Sequence, residues 1–168
     1  MSTENLFKQE AREKLKELAE DARVCMMSTL LDKRPIPTRP MTVQHVCEET
    51  GKLFFLSSKG SNKNYEIKDD SEVQITFSNK GNSEYLSIYG TAKIHTDQET
   101  IDKHWSTMAN AWFNGKEDPE VSVISVEPKD VRYWDTKNGK WVDMALMAYA
   151  AIVDGKTFDE GVKGNLEV

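Results

Sequence analysis

Between Asn5 and Ala22 the apolar residues Leu6, Phe7, Ala11, Leu15, Leu18, Ala19 and Ala22 recur at helical spacing, with Lys and Glu filling the gaps. This pattern predicts an amphipathic helix over 5–22, capped by Ser2 or Thr3. Shorter helices are predicted over 61–68, after Gly60 and with Ser61 as cap, and over 98–111, after Thr96 and Asp97. A further one over 140–153 ends at Gly155. The intervening runs are β-rich. They fall at 24–31, 37–46, 52–57, 72–79, 84–95, 121–127 and 131–135, and several alternate apolar and polar residues, as in Val73, Ile75 and Phe77 or Leu86, Ile88 and Gly90. Turn residues separate most of them, including Gly51, the stretch from Asn79 to Asn82, and Asn138 with Gly139.

Seven strand candidates crowd into about 110 residues, and one short helix interrupts the first five. A parallel sheet needs a crossover helix after each strand, so this density points to a closed antiparallel barrel with peripheral helices, class α+β. The 168 residues suit a single domain over 1–168. Residues 154–168 read as a polar tail, with a short terminal strand at 165–168.

Composition narrows the function. The formal net charge of −6 argues against sequence-independent nucleic-acid binding, which needs a broad basic surface. No apolar run approaches the roughly 20 residues of a membrane span, and the N-terminus lacks the basic-then-apolar order of a secretory signal. Cys25 and Cys47 form no CxxC, and His45, His95 and His104 form no HExxH, so a zinc site is not expected. A reducing cytoplasm is the expected location. The three histidines are far apart in the chain with no Ser or Cys motif around them, which disfavours a nucleophilic triad. Cys25, in an apolar run, reads as a small core residue.

Three clusters carry candidate chemistry. Thr38, Arg39, Pro40 and Met41 place an arginine on a strand flanked by Pro37 and Pro40. Either the prolines free the backbone to bond a ligand, or they blunt a sheet edge and leave Arg39 solvated or paired to an acid. The segment from Leu56 to Lys63 joins a strand end, Ser57, Ser58, Lys59, Gly60 and a helix N-terminus at Ser61. Unpaired amides and the positive dipole end favour an anion there, with Arg39, Lys59 and Lys63 as counter-charges. The alternative is an ordinary capped helix with solvated lysines. The third cluster is aromatic, comprising Trp105, Trp112, Phe113, Tyr133, Trp134 and Trp141. Packing or an oligomer interface accounts for most of it. Tyr133 and Trp134 face opposite sides of a strand, so both are buried only if both faces are covered.

The order of these elements resembles the pyridoxamine 5'-phosphate oxidase-like FMN-binding split barrels, and among them the general stress protein 26 family. The carrying features are the helix over 5–22, the strand over 24–31, Arg39 to Met41, Leu53 to Ser58, Ser61 to Lys63 with Ile67, the strand from Tyr85 to Gly90, and Tyr133 to Asp135. The segments from Trp112 to Pro119 and from Gly161 to Val168 are also similar. The resemblance implies a six- to seven-stranded antiparallel split β-barrel and a homodimer with FMN at the subunit interface. It implies that Arg39 contacts the phosphate region and that the backbone of Pro40, Met41 and Thr42 follows the flavin edge. Ser57, Ser58, Ser61 and Lys63 fall at the phosphate seat. Tyr85 falls near a ring-bonding glutamine of the oxidases, and Trp134 matches a tryptophan that reaches the flavin from the partner chain.

Two departures qualify this. Asn62 stands where the oxidases' Ser-Arg-Lys pattern has arginine, and no arginine follows Trp134, where the true oxidases grip pyridoxal phosphate. The resemblance therefore implies an FMN-dependent oxidoreductase that is not a pyridoxamine phosphate oxidase. The alternatives are a non-catalytic flavin-binding or flavin-buffering stress protein, or a relative binding haem or a deazaflavin. Haem would require His45, His95 or His104 as axial ligand.

Overall fold

The computed structural model describes residues 2–135 and 161–168. The predicted helix over 140–153, Trp141 and residues 154–160 of the tail lie outside the described residues. Six long strands close an antiparallel barrel: β3 (Val24–Thr29), β4 (Thr38–Val46), β5 (Leu53–Ser58), β6 (Glu72–Asn79), β7 (Glu84–His95) and β8 (Val121–Asp135). Around the barrel the order is β5, β4, β3, β6, β7 and β8, and β8 returns to β5. The barrel interior is filled by the inward set of each strand, including Met27, Val43, Phe55, Ile75, Phe77, Ile88 and Ile124. Helix α1 (Lys8–Ala22) adds Ala11, Leu15, Leu18 and Ala19 to the same core. Helix α2 (Asn62–Asp69) follows β5, and α3 (Gln98–His104) packs outside β5 and β8.

The expected α+β antiparallel barrel is therefore present, with two local differences. The runs at 121–127 and 131–135 are one strand, β8. Its ladder with β7 shifts register between Tyr89 and Gly90, so that Gly90 faces Pro128 and Tyr89 faces Asp130. The additional residue forms a bulge, which accommodates a proline that a regular central ladder would exclude. A Cβ on Gly90 would collide with the Glu127 carbonyl, so only glycine permits this approach. Six strands result where seven were counted.

The second difference is at the chain ends. Helix α1 begins at Lys8, and its cap residue is Phe7 with no side-chain capping bond. Residues assigned to the helix or its cap instead form β1 (Ser2–Thr3) and β2 (Leu6–Phe7), both parallel to β9 (Val162–Glu167). Pairing of Leu6 with Leu166 outcompetes helix extension because Leu166 is buried beside the α1 core. Strand β9 in turn joins the far half of β8, and Tyr133 Oη donates to the Glu4 carbonyl at 2.9 Å. Lys14 of α1 pairs with Asp135 at 2.5 Å.

Gly164 is the tightest point of this clasp, since a Cβ there would overlap the Glu4 carbonyl. Gly164→Val is expected to cost about 1–3 kcal/mol, the usual range for forced overpacking. Amide exchange should show residues 2–7 losing protection while the barrel strands keep theirs.

Candidate functional site

Strand β4 alternates Arg39, Met41 and Val43 toward the interior with Pro40, Thr42 and Gln44 toward the outside. Next to it β5 ends at Ser57 and Ser58, and the chain turns through Lys59 and Gly60 into α2. A cleft of about 540 Å³ opens along this seam, lined by Pro40, Met41, Thr42, Gln44, Leu56, Ser57, Ser58 and Lys63. Its remaining wall comes from Ala109, Trp112 and Phe113, on and after a 3-10 turn at Thr107–Ala111. Seven of the sequence-predicted residues (Pro40, Met41, Thr42, Ser57, Ser58, Ser61 and Lys63) thus lie in or beside one cleft.

Helix α2 is held here by a buried polar chain. Asn64, 1% exposed, accepts from Ser57 Oγ at 2.8 Å and donates to Ser122 Oγ at 2.9 Å. Ser122 Oγ donates to the Ser57 carbonyl at 2.8 Å. Ser61 occupies the cap position without a side-chain capping bond, and its hydroxyl is turned back to donate to the Ser58 carbonyl at 2.7 Å. The amides of Asn62 and Lys63 therefore keep their donor capacity, while that of Asn64 goes to the Ser61 carbonyl at 3.0 Å. Lys63 lies half-buried on the first turn. Burial and the nearby Arg39 guanidinium push its ammonium below the usual lysine range, and Glu66 partly offsets them. A cation so placed favours an incoming anion.

Arg39 does not line the cleft. Its Nη1 donates to Thr29 Oγ1 at 2.6 Å and its Nη2 to Glu66 Oε2 at 2.5 Å. Tyr85 and Trp134 are register partners on β7 and β8, and neither lines the cleft. Trp134 instead borders two grooves beside Arg132.

Sequence reasoning missed the far wall. Residues 98–111 do not form one helix: α3 stops at His104, and Ser106 Oγ donates to Gln44 Oε1 at 2.7 Å, drawing the following turn over the cleft. Trp112, 71% exposed, stands at its edge. Trp112 and Phe113 stand out in the sequence as part of an aromatic cluster read mainly as packing or an interface, and nothing local places them opposite β4, because that approach is a tertiary event.

All three histidines gather under α3 despite their sequence separation. His104 stacks on Phe54 with centroids 3.8 Å apart, and His45 lies 5.8 Å from His104. His95 Nε2 and Ser125 Oγ are 2.8 Å apart. Ser125 is 8% exposed, which denies a substrate access to that hydroxyl. None of the three lines the cleft, so none offers an axial ligand there. Burial, then the neighbouring His45, Lys103 and His95, push His104 down to about 4, and its Nδ1 is buried without a partner. Burial likewise pushes the Cys25 thiol up to about 12, as befits a core residue.

Comparison with known proteins agrees with this architecture. Residues 10–159 match the family described as Pyridoxamine 5'-phosphate oxidase like. General stress protein 26 of Bacillus subtilis (strain 168) is 29% identical over 127 residues, 74% of this chain and 88% of that protein. A crystal structure of a general stress protein 26 from Jannaschia sp. CCS1 superposes with a TM-score of 0.78 at 24% identity, covering 96% of this chain and 99% of that one. The general stress FMN/FAD binding protein of Xanthomonas citri gives a TM-score of 0.65 at 27% identity, covering 75% and 89%. The chain belongs to the pyridoxamine 5'-phosphate oxidase-like family. Within that family it is similar to general stress protein 26.

The histidine cluster generates a pH prediction. Because His104 in the folded protein holds its proton more weakly than an unfolded histidine near 6.5, the unfolded chain takes up protons first on acidification. Stability is full above about pH 6.5 and is lost as pH falls toward about 4, by something of the order of 2 kcal/mol. In His104→Phe, which keeps the stack and cannot charge, urea midpoints should flatten across that window.

Proposed function

We propose that the cleft binds FMN and that the protein is a flavin-dependent oxidoreductase of the general stress protein type. The carrying observation is the continuity of one cleft from the outer edge of β4 to an uncapped helix N-terminus bearing a half-buried lysine. A flat ring fits against Pro40, Met41 and Thr42, whose backbone meets the cleft, and a phosphate fits at the other end. Ser58, Ser61, the first amides of α2 and Lys63 would hold that phosphate. Its single seat, with no second basic cluster among the described residues lining the cleft, favours FMN over FAD.

When bound, the flavin would supply hydride or electron transfer, and the chain would supply orientation and electrostatics. Lys63 places its charge at the anionic end. Thr42 offers a hydroxyl and its main chain at the ring edge. The apolar wall of Leu56, Ala109, Trp112 and Phe113 excludes water from one side. The cleft's open side, together with the Tyr85–Trp134 face that does not contribute to it, supports a homodimer in which Trp134 of the partner subunit completes the site. A cytoplasmic location follows from this reading, and no helix among the described residues is long and apolar enough to cross a membrane.

A second reading has its own support. Among the described residues lining the cleft, Lys63 is the only ionisable side chain, and no acid–base group accompanies it there. That composition suits a module that binds flavin without turnover. Anaerobic mixing with NADH or NADPH separates the two: bleaching within seconds marks the enzyme, and an unbleached flavin with every donor marks the module.

Fluorescence titration with FMN tests the site. Lys63→Met is expected to weaken FMN about 10- to 100-fold, the value of one charge-assisted contact. The apo variant should melt no lower than wild type, because a partly desolvated charge has been removed.

A further inference from the structure

We propose that the groove beside Trp134, on the outer face of β8 and β9, is a binding site for a small planar aromatic anion. It shares no lining residue with the cleft and does not depend on the flavin reading. Strand register builds it. Across the β8–β9 ladder Arg132 pairs with Asn165 and Trp134 with Lys163, and Thr3 of β1 pairs with Lys163 on the other side. Residues two apart on a strand share a face, as do directly opposed partners. These five side chains therefore stand together on the outside, while Tyr133 and Leu166 point into the core. Asn5 completes the row: its Oδ1 accepts from the Asn165 amide at 3.0 Å, which leaves its side-chain NH2 to donate elsewhere. The result is a groove of about 400 Å³. Its floor is fixed by the Tyr133 Oη bond to the Glu4 carbonyl and by the close approach of Gly164 to that same carbonyl.

The lining chemistry selects the ligand. In a chain of net charge −6, this groove carries two cations and no acidic side chain among its described lining residues. Lys163 has no ion-pair partner among the described residues. Arg132 is paired with Asp130, whose oxygens lie 3.3 Å from Nε and from Nη2. Those two side chains are 62% and 50% exposed, and an exposed pair of this kind holds its arginine weakly. Nη1 takes no part in it, so the guanidinium can accept a second anion without losing the first. Asp130 itself lines the neighbouring groove of Gln74, Ser87 and Tyr89. Trp134 stands beside both cations and adds a flat apolar wall. An inorganic anion would leave that indole uncovered, and a neutral aromatic would leave the cations unanswered. A ring bearing a carboxylate or phosphate satisfies both at once.

Naphthoate is the probe, and naphthylmethanol is its uncharged counterpart. Both are titrated into the full chain and followed by NMR, with Trp134→Phe identifying the Trp134 indole signal. Naphthoate is expected to move that signal and the Asn5 and Asn165 side-chain amides along one saturation curve, and to bind about tenfold more tightly than the alcohol. Arg132→Gln and Lys163→Gln should each weaken naphthoate about tenfold and leave the alcohol unchanged. Both side chains are exposed, so the variants should keep the fold, which their thermal midpoints check. Lys63→Met, which removes the cation of the cleft and not those of the groove, should leave the shifts as they are. Equal affinity for acid and alcohol, undiminished binding in the Arg132→Gln/Lys163→Gln double variant, or shifts that disappear with Lys63 would each overturn the proposal.

Discussion

The candidate site depends on a single buried amide. Asn64 is withdrawn from water and can remain so only if its polar atoms find partners, since an unsatisfied buried polar group costs about 1–3 kcal/mol. Ser57 and Ser122 supply them from two different strands. The requirement that this amide be satisfied leaves α2 one depth and one direction of approach, and so points the helix N-terminus at the end of β5. Everything the cleft offers an anion follows from that docking. Ser57, read from the sequence as a direct contact, has its hydroxyl committed to Asn64, and the amides of Lys59, Ser61 and Asn64 are taken up by the carbonyls of Glu120, Ser58 and Ser61, which leaves the Ser58 hydroxyl and the amides of Asn62 and Lys63 facing the seat.

Much of the barrel was legible because its strands alternate cleanly. Val73, Ile75 and Phe77 face inward as their spacing requires, and β6 and β7 begin and end where the pattern does. What escaped notice was set by tertiary context. Pro128 looks like a terminator until Gly90 on the neighbouring strand is seen to make room for it. Leu6 and Phe7 have helical spacing, yet a strand more than 150 residues away claims them. The local motifs of the site were readable for a related reason: Pro40 to Thr42 and Ser57 to Lys63 are contiguous, so sequence proximity stands in for spatial proximity. Gln44 with Ser106, and the three histidines with Phe54, carry no such signal.

The electrostatic economy of the site differs from a simple basic patch. In a chain with net charge −6, a concentration of lysine and arginine was the expected route to a phosphate. The folded protein instead pairs Arg39 with Glu66 and keeps one lysine, Lys63, among the described residues lining the cleft. In the proposed reading, neutral donors would carry much of the phosphate recognition. Helix amides and hydroxyls are oriented by the fold and do not titrate, so a seat built this way is less sensitive to ionic strength and pH than one built from exposed cations. The flavin-binding reading is consistent with that balance.

The parallel pairing of β1 and β2 with β9 has a mechanical meaning. Force applied between the two ends of the chain would drag these strands past each other lengthwise, loading the Glu4–Lys163 bond and its neighbours together instead of peeling them in succession. A clasp stressed in shear yields abruptly and late. Tension transmitted from a fused or tethered segment would thus be borne at the seam, leaving the barrel and its cleft unstrained until that seam gives way.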